Sequence, residues 1–127
     1  MEYKQTFGDL YRTAKDKFDI QQAPKLLLRK DEENAQDVFG RTAYYEPEEK
    51  TIVIFITNRH PKDILRSFCH EMIHHVQNER GDLNMGDASS PTYAQDDKHM
   101  REMEKEAYLE GNLLLRDFED NFKYENK

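Results

Sequence analysis

Residues His70, Glu71 and His74 fall within the stretch HEMIH, which places a glutamate directly after the first of two histidines. Residues four apart on an α-helix lie one above the other, so both imidazoles can converge on one ion. Glu71 is rotated by about 100° from His70, but its side chain can lean toward the same space. Two neutral imidazoles suit Zn²⁺, and the carboxylate can take a proton from the metal-bound water. The spacing therefore predicts one zinc ion held by His70 and His74, with Glu71 as general base.

The segment that carries this motif has the pattern of a helix that enters the core. Pro61 and Asp63 suit a first turn and Gly81 suits a stop, so we predict a helix from residue 61 to about residue 79. Its apolar positions are Ile64, Leu65, Phe68, Cys69, Met72, Ile73 and Val76. Charged side chains on a core helix need partners, which favours a metal site. Cys69 is interpreted as a small core residue and not as a ligand.

A catalytic zinc ion takes three protein ligands and keeps one open position, so a third ligand must come from elsewhere. The candidates are His60, His75, His99 and the glutamates of the last helical segment, Glu102, Glu104, Glu106 and Glu110. On a helical projection, Glu104 shares a face with Met100, Ala107, Tyr108, Gly111, Leu115 and Phe118. We therefore expect Glu104 to be embedded in the core-facing side, where a carboxylate needs a charged partner or a metal. Glu104 is the predicted third ligand, whereas Glu102, Glu106 and Glu110 are predicted to be solvated and His75 and His99 to point away.

The elements that must position these residues have the order expected of a small α+β fold. An apolar stripe at helical spacing, formed by Tyr3, Phe7, Leu10, Tyr11, Ala14 and Phe18, predicts an N-terminal helix that packs on the core or binds a partner. Residues 25–30, 41–45 and 51–57 predict two or three strands of a small antiparallel or mixed sheet. A loop at residues 81–92 leads to a last helix, which begins near residues 90–91 and runs to about residue 122. We expect a single domain over residues 1–127.

Composition narrows the classes of function. The net charge is −7, and the first 30 residues carry a net +3 while the remainder carries −10, so nucleic acid is an unlikely partner. A single cysteine allows no internal disulfide. The first residues lack the apolar stretch of a secretory signal, and no apolar run approaches the length of a membrane span. These features predict a protein of the cytoplasm, or of the host cytoplasm if it is viral, without a membrane partner.

With these motifs, residues 50–118 resemble the gluzincin-type zinc metallopeptidases, which carry HExxH on one helix and a glutamate ligand on a following helix. The small single-domain forms called minigluzincins, ImmA/IrrE-type proteins and small metallopeptidase-like proteins of phages look most similar. The stretch EKEAY at residues 104–108 matches the family pattern up to its last position, where Tyr108 replaces the usual Asp or Asn. The resemblance thus implies Glu104 as the third ligand, independently of the helical projection. SprT-like proteases are a weaker resemblance, because their third ligand is a downstream histidine.

The resemblance implies hydrolysis of a peptide bond in a peptide or protein substrate, with Glu71 activating water and later protonating the leaving amine. The substrate would lie along an edge strand, for which residues 51–57 are the candidate. Tyr108 could orient a histidine ligand, and Tyr93, Tyr108 and Arg101 are candidates for stabilising the oxyanion. The loop at residues 81–92 could form a lid or serve only as a connector. Two alternatives stay open: a catalytically weak or inactive metallopeptidase-like binding module, and a regulator that acts on a protein partner.

Overall fold

The computed structural model describes residues 3–33, 42–83 and 93–125. Its elements are α1 (Tyr3–Phe18), β1 (Lys25–Arg29), β2 (Ala43–Glu46), β3 (Thr51–Phe55), α2 (Pro61–Glu79) and α3 (Tyr93–Glu125). Three helices and one mixed sheet confirm the predicted α+β fold. The described elements occur in the predicted order.

The three strands form a sheet in the order β1-β3-β2. β1 pairs with β3 in parallel, and β2 pairs with β3 antiparallel. β3 is thus the central strand, so the prediction that residues 51–57 offer a free edge to a substrate is wrong. The physical reason is the pairing on both sides: β1 occupies one edge of β3 and β2 occupies the other, so the main-chain groups of β3 are already hydrogen-bonded within the sheet. Within the described residues, the free edges belong to β1 and β2.

Helix α1 contributes one side of the hydrophobic core. Phe7, Leu10 and Ala14 are buried there, and the Phe7 ring lies 4.6 Å from the Phe68 ring of α2, measured between centroids. The apolar stripe of the N-terminal helix therefore packs inside the molecule, as the first of its two interpretations predicted. α3 closes the same core with Ala107, Leu114 and Leu115, among others.

The predicted boundaries of α2 are confirmed. Pro61 opens the helix, and the His60 side chain caps it by accepting a hydrogen bond from the Lys62 N–H at 3.1 Å. Gly81 follows the last turn with φ at 83°, a left-handed conformation that glycine adopts readily. His60 is therefore occupied as a helix cap and is not placed with the other histidines of the motif. Most of the predicted loop at residues 81–92 lies outside the described residues.

Helices α2 and α3 approach each other closely at Gly111. A Cβ atom placed on Gly111 would lie 3.1 Å from both the Cα and the N of His70. Glycine inside a helix weakens it, and the contact with the His70 backbone explains its presence here. The close approach sets the distance between the two helices beside the HEMIH motif. None of the helices in the described part of the chain is both long and apolar enough to cross a membrane.

Candidate metal centre

The side chains of His70, His74 and Glu104 meet where α2 faces α3. One Glu104 carboxylate oxygen lies 3.2 Å from His70 Nε2, and the other lies 2.9 Å from His74 Nε2. The two imidazole rings are 4.9 Å apart between centroids and nearly perpendicular, at 82°. The four-residue spacing stacks the histidines on α2, and the approach of α3 brings Glu104 to both. The structure thus brings together the three residues predicted as ligands.

Glu104 is less buried than its helical projection predicted. Its side chain is 50% exposed, and the buried stripe of α3 is formed by Ala107, Gly111 and Leu114 together with Leu115. Glu104 lies at the margin of this stripe, where α3 borders an open cleft. The projection found the correct side of the helix, but the prediction that Glu104 is embedded in the core was wrong because a cleft opens there.

Glu71 is the second carboxylate of the site and is almost fully buried, with 6% of its surface exposed. Burial, and secondarily the negative charge of Glu104, raises the pKa of Glu71 to about 8. Each of His70, Glu71 and His74 offers a ligand atom within 4.8 Å of the others, so these three side chains could also hold a metal ion. Burial and the neighbouring His74 lower the pKa of His70, which favours the neutral imidazole that a metal requires.

Two carboxylates therefore compete for the place of third ligand. Glu104 contacts the Nε2 atoms of both histidines, which are the atoms that would bind the ion. Two ligand atoms about 2.1 Å from a tetrahedral ion lie roughly 3.4 Å apart. The observed separations of 3.2 and 2.9 Å are close to this value, so Glu104 could share an ion with either histidine after little movement. With Glu104 in this position, Glu71 is left beside the ion for proton transfer.

Gln77 is a residue of the site that the sequence pattern did not reveal. It is fully buried, and its Oε1 lies 2.7 Å from His74 Nδ1, the ring nitrogen that faces away from Glu104. Its Nε2 donates to the carbonyl oxygen of Met103 and to the carboxylate of Glu106. The three-residue spacing from His74 to Gln77 on one helix was the available signal, since such pairs are neighbours on a helix surface.

The prediction that Glu106 is simply solvated was wrong. Its carboxylate accepts hydrogen bonds from Gln77 at 2.8 Å and from Arg80 at 2.6 Å. The Arg80 hydrogen bond is the main reason that the pKa of Glu106 is lowered, so the group is held as a carboxylate. Glu102, by contrast, is exposed, and Glu110 is partly exposed.

The other singled-out residues of the two helices have structural contacts. His75 is fully buried, and its Nε2 donates to the Gln22 carbonyl oxygen at 2.7 Å while its Nδ1 accepts from the Tyr45 hydroxyl at 2.7 Å. His99 Nε2 lies 2.7 Å from the carbonyl oxygen of Asp82. Cys69 is buried in the core, as predicted, and its burial raises the pKa of its thiol. The rings of His75 and His99 are thus engaged with groups other than Glu104.

A cleft of about 1020 Å³ opens over the two histidines and both carboxylates. Its walls come from β2 and the segment before it, from α2 and from α3; they include Thr42, Ala43, Tyr44, Tyr45, Ser67, Leu83, Met100 and Asn112. Tyr108 lines the cleft, is 66% exposed and places its ring 4.7 Å from that of His70. Arg101 is exposed and is not among the described residues that line the cleft. The side chain of Tyr93 lies outside the described part of the chain.

Comparison of the chain with models of known families, with characterised proteins and with solved structures finds no significant match. The geometry of the cleft and its residues is therefore the basis for the functional assignment. What the structure supports directly is a cluster of side chains that could hold a metal ion.

Proposed function

We propose that this protein is a small zinc-dependent metallopeptidase of the gluzincin type, related to the minigluzincins and to phage metallopeptidases. The observation that carries the proposal is the Glu104 carboxylate, which reaches from a second helix to the Nε2 atoms of both His70 and His74. Two imidazoles and one carboxylate from separate helices form a ligand set of catalytic zinc sites. The HEMIH spacing alone would not distinguish such a site from chance.

When bound, zinc supplies a Lewis acid that polarises a peptide carbonyl and makes a water molecule more acidic. Glu71 then accepts the proton of the attacking water and passes it to the leaving amine. Its position suits both steps, because its buried carboxylate lies in the same cluster as the two histidines. Tyr108 is the described cleft residue best placed to stabilise the oxyanion, because its ring lies beside His70.

The substrate in this proposal is an extended peptide that lies along β2. This strand borders the cleft and, among the described elements, pairs only with β3. Its other edge can therefore take up main-chain hydrogen bonds from a peptide by strand addition. β2 thus replaces residues 51–57 as the substrate-binding strand.

Metal analysis tests the zinc site. Protein purified without added zinc, or reconstituted with it, should contain about one zinc ion per chain. The variants His70→Ala and Glu104→Ala should lose it. Glu102→Ala is the matched control, because Glu102 is an exposed glutamate on the same helix. Retention of zinc at wild-type affinity by Glu104→Ala would exclude Glu104 as a ligand and favour Glu71 in its place.

Activity needs a separate experiment. A peptide-library digest should show cleavage by the wild type and at least about a 100-fold loss for Glu71→Gln, which keeps the shape of the side chain but cannot accept the proton. Equal cleavage by both proteins would exclude Glu71 as the base. Zinc binding without any cleavage would favour the alternative function, a metallopeptidase-like module that binds a protein partner in the cleft.

A further inference from the structure

The side-chain amide of Gln77 has only one orientation that satisfies its neighbours. Its NH₂ side faces two groups, the Met103 carbonyl oxygen at 2.9 Å and the Glu106 carboxylate at 2.8 Å. A carbonyl oxygen can accept hydrogen bonds but cannot donate them, and the same is true of an ionised carboxylate. Arg80 also donates to this carboxylate at 2.6 Å and forms an ion pair with it. The amide nitrogen of Gln77 must therefore point to α3, and the amide oxygen must point to His74.

This orientation fixes the proton on His74. The Gln77 amide oxygen lies 2.7 Å from His74 Nδ1 and offers no hydrogen to donate. A hydrogen bond at this distance exists only if Nδ1 carries the proton. A ring whose single proton is on Nδ1 has its lone pair on Nε2, and Nε2 is the nitrogen on the Glu104 side that would bind the ion. The interaction takes place out of contact with water, since Gln77 is fully buried and His74 is 7% exposed.

We propose that Gln77 is a positioning residue for the metal site: it holds His74 in the Nδ1–H form and aims Nε2 at the ion. Glu106 and Arg80 support this role, because Glu106 accepts from the Gln77 amide and Arg80 holds Glu106 in place. Together they prevent the amide from rotating by 180°. The inference rests on the proposed zinc site, where partners of this kind typically contribute about 10- to 100-fold in metal affinity. Gln77 acts through His74 and does not itself contact the ion.

The hydrogen bonds of Gln77 also link the two helices that carry the ligands. Gln77 belongs to α2, and both groups that receive its NH₂ hydrogens belong to α3. Met103 is the residue directly before Glu104. The hydrogen bond to the Met103 carbonyl therefore fixes the α3 backbone beside Glu104, the third ligand. The amide oxygen of the same side chain orients His74, the second ligand. One buried side chain thus sets two of the three ligands relative to each other.

Zinc affinity of Gln77→Met tests the proposal, measured by competition with a chromophoric chelator. Methionine matches glutamine in length but makes none of the three hydrogen bonds, so affinity should fall about 10- to 100-fold. Asn78→Ala is the matched control: it removes hydrogen bonds from the next residue of α2 to Tyr45 and Pro47, which do not involve His74. The control should bind zinc within about threefold of the wild type. A folded Gln77→Met protein that binds zinc as tightly as the control would overturn the proposal.

A second measurement does not depend on zinc or on the folding of a variant. Nitrogen-15 NMR of the metal-free wild-type protein reports which ring nitrogens of His74 carry hydrogen. We expect a protonated Nδ1 whose hydrogen exchanges slowly with water, and an unprotonated Nδ1 would overturn the proposal. If the wild type shows protonated Nδ1 but binds no zinc, the zinc site fails while the role of Gln77 in orienting His74 stands. If it binds zinc with unprotonated Nδ1, the role of Gln77 fails alone.

Discussion

Replacing Gly111 by alanine should loosen the contact between the two helices that carry the ligands. The added Cβ would lie 3.1 Å from the Cα and N of His70 and 3.3 Å from the carbonyl carbon of Cys69. All three atoms belong to the α2 backbone, which cannot turn aside as a flexible side chain can. Carbon atoms pack best at about 3.5–4.0 Å, so α3 must move away by roughly half an ångström. Glu104, two turns along the same helix, would move with it.

Two opposing terms determine how Gly111→Ala changes the free energy of unfolding. Alanine is about 1 kcal/mol better than glycine inside a helix, which stabilises the variant. Overpacking against a rigid neighbour costs about 1–3 kcal/mol. Gly8→Ala isolates the first term, helix propensity, because Gly8 is also inside a helix but its Cβ would meet only the tip of the Arg12 side chain, at 3.9 Å. The propensity term is common to both variants, so their free energies of unfolding should differ by the overpacking cost.

Urea unfolding of the metal-free proteins measures this difference. Gly8→Ala should be more stable than the wild type by about 0.5–1 kcal/mol, and Gly111→Ala should be less stable than Gly8→Ala by about 1–3 kcal/mol. Zinc affinity should fall for Gly111→Ala and stay unchanged for Gly8→Ala. If both variants gain stability equally, the two helices do not meet at Gly111 as described, and the argument for its role is refuted.

Three further predictions concern other parts of the site. In the metal-free protein, Glu71 stabilises the fold fully below its ordinary pKa of 4.5, and this stability is lost as the pH rises through about 8. Urea unfolding at several pH values should therefore show the wild type losing stability relative to Glu71→Gln, and parallel curves would contradict the raised pKa. Tyr45→Phe should lower the free energy of unfolding by about 1–3 kcal/mol, because it leaves buried His75 without a donor and Asn78 without one acceptor. Its zinc content should not change, and a loss of zinc would show that His75 acts on the site. Cys69 should resist alkylation in the native protein and react only on unfolding, since burial raises its pKa; rapid native labelling would show that α2 opens at the site.

The sequence was most informative where local chemistry decides the structure. Pro61 and Gly81 mark the ends of α2 because one fits a first helical turn and the other fits a left-handed stop. The spacing of His70 and His74 places them on one face of any helix that contains them. The projection of the last helix selected Glu104 from four glutamates, and the structure brings it to both histidines. Its role as a ligand stays a prediction until metal is measured.

The sequence was least informative about which surfaces are covered. An apolar strand such as β3 can be central or can lie at an edge beneath another element. Only the observed pairing shows that β3 is central and that β1 and β2 are the outer strands among those described. The face of α3 that carries Glu104 ends at a cleft, so that the residue is half exposed and not buried. Helical projection describes one helix at a time and contains no information about where a neighbouring element stops.

What the sequence by itself determined is therefore the set of elements and the pair of histidines, because helix caps, periodicity and four-residue spacing are local properties. The tertiary structure alone decided what surrounds them. Gln77 and Glu106 appear in the sequence as ordinary polar residues. Gln77 neighbours His74 on α2, but its amide is held in one orientation only because α3 packs against α2 and brings the Met103 carbonyl and Glu106 to it. That packing depends on Gly111, whose missing side chain lets the two backbones approach. Contacts between residues far apart in the chain follow from the fold, and no local pattern records them.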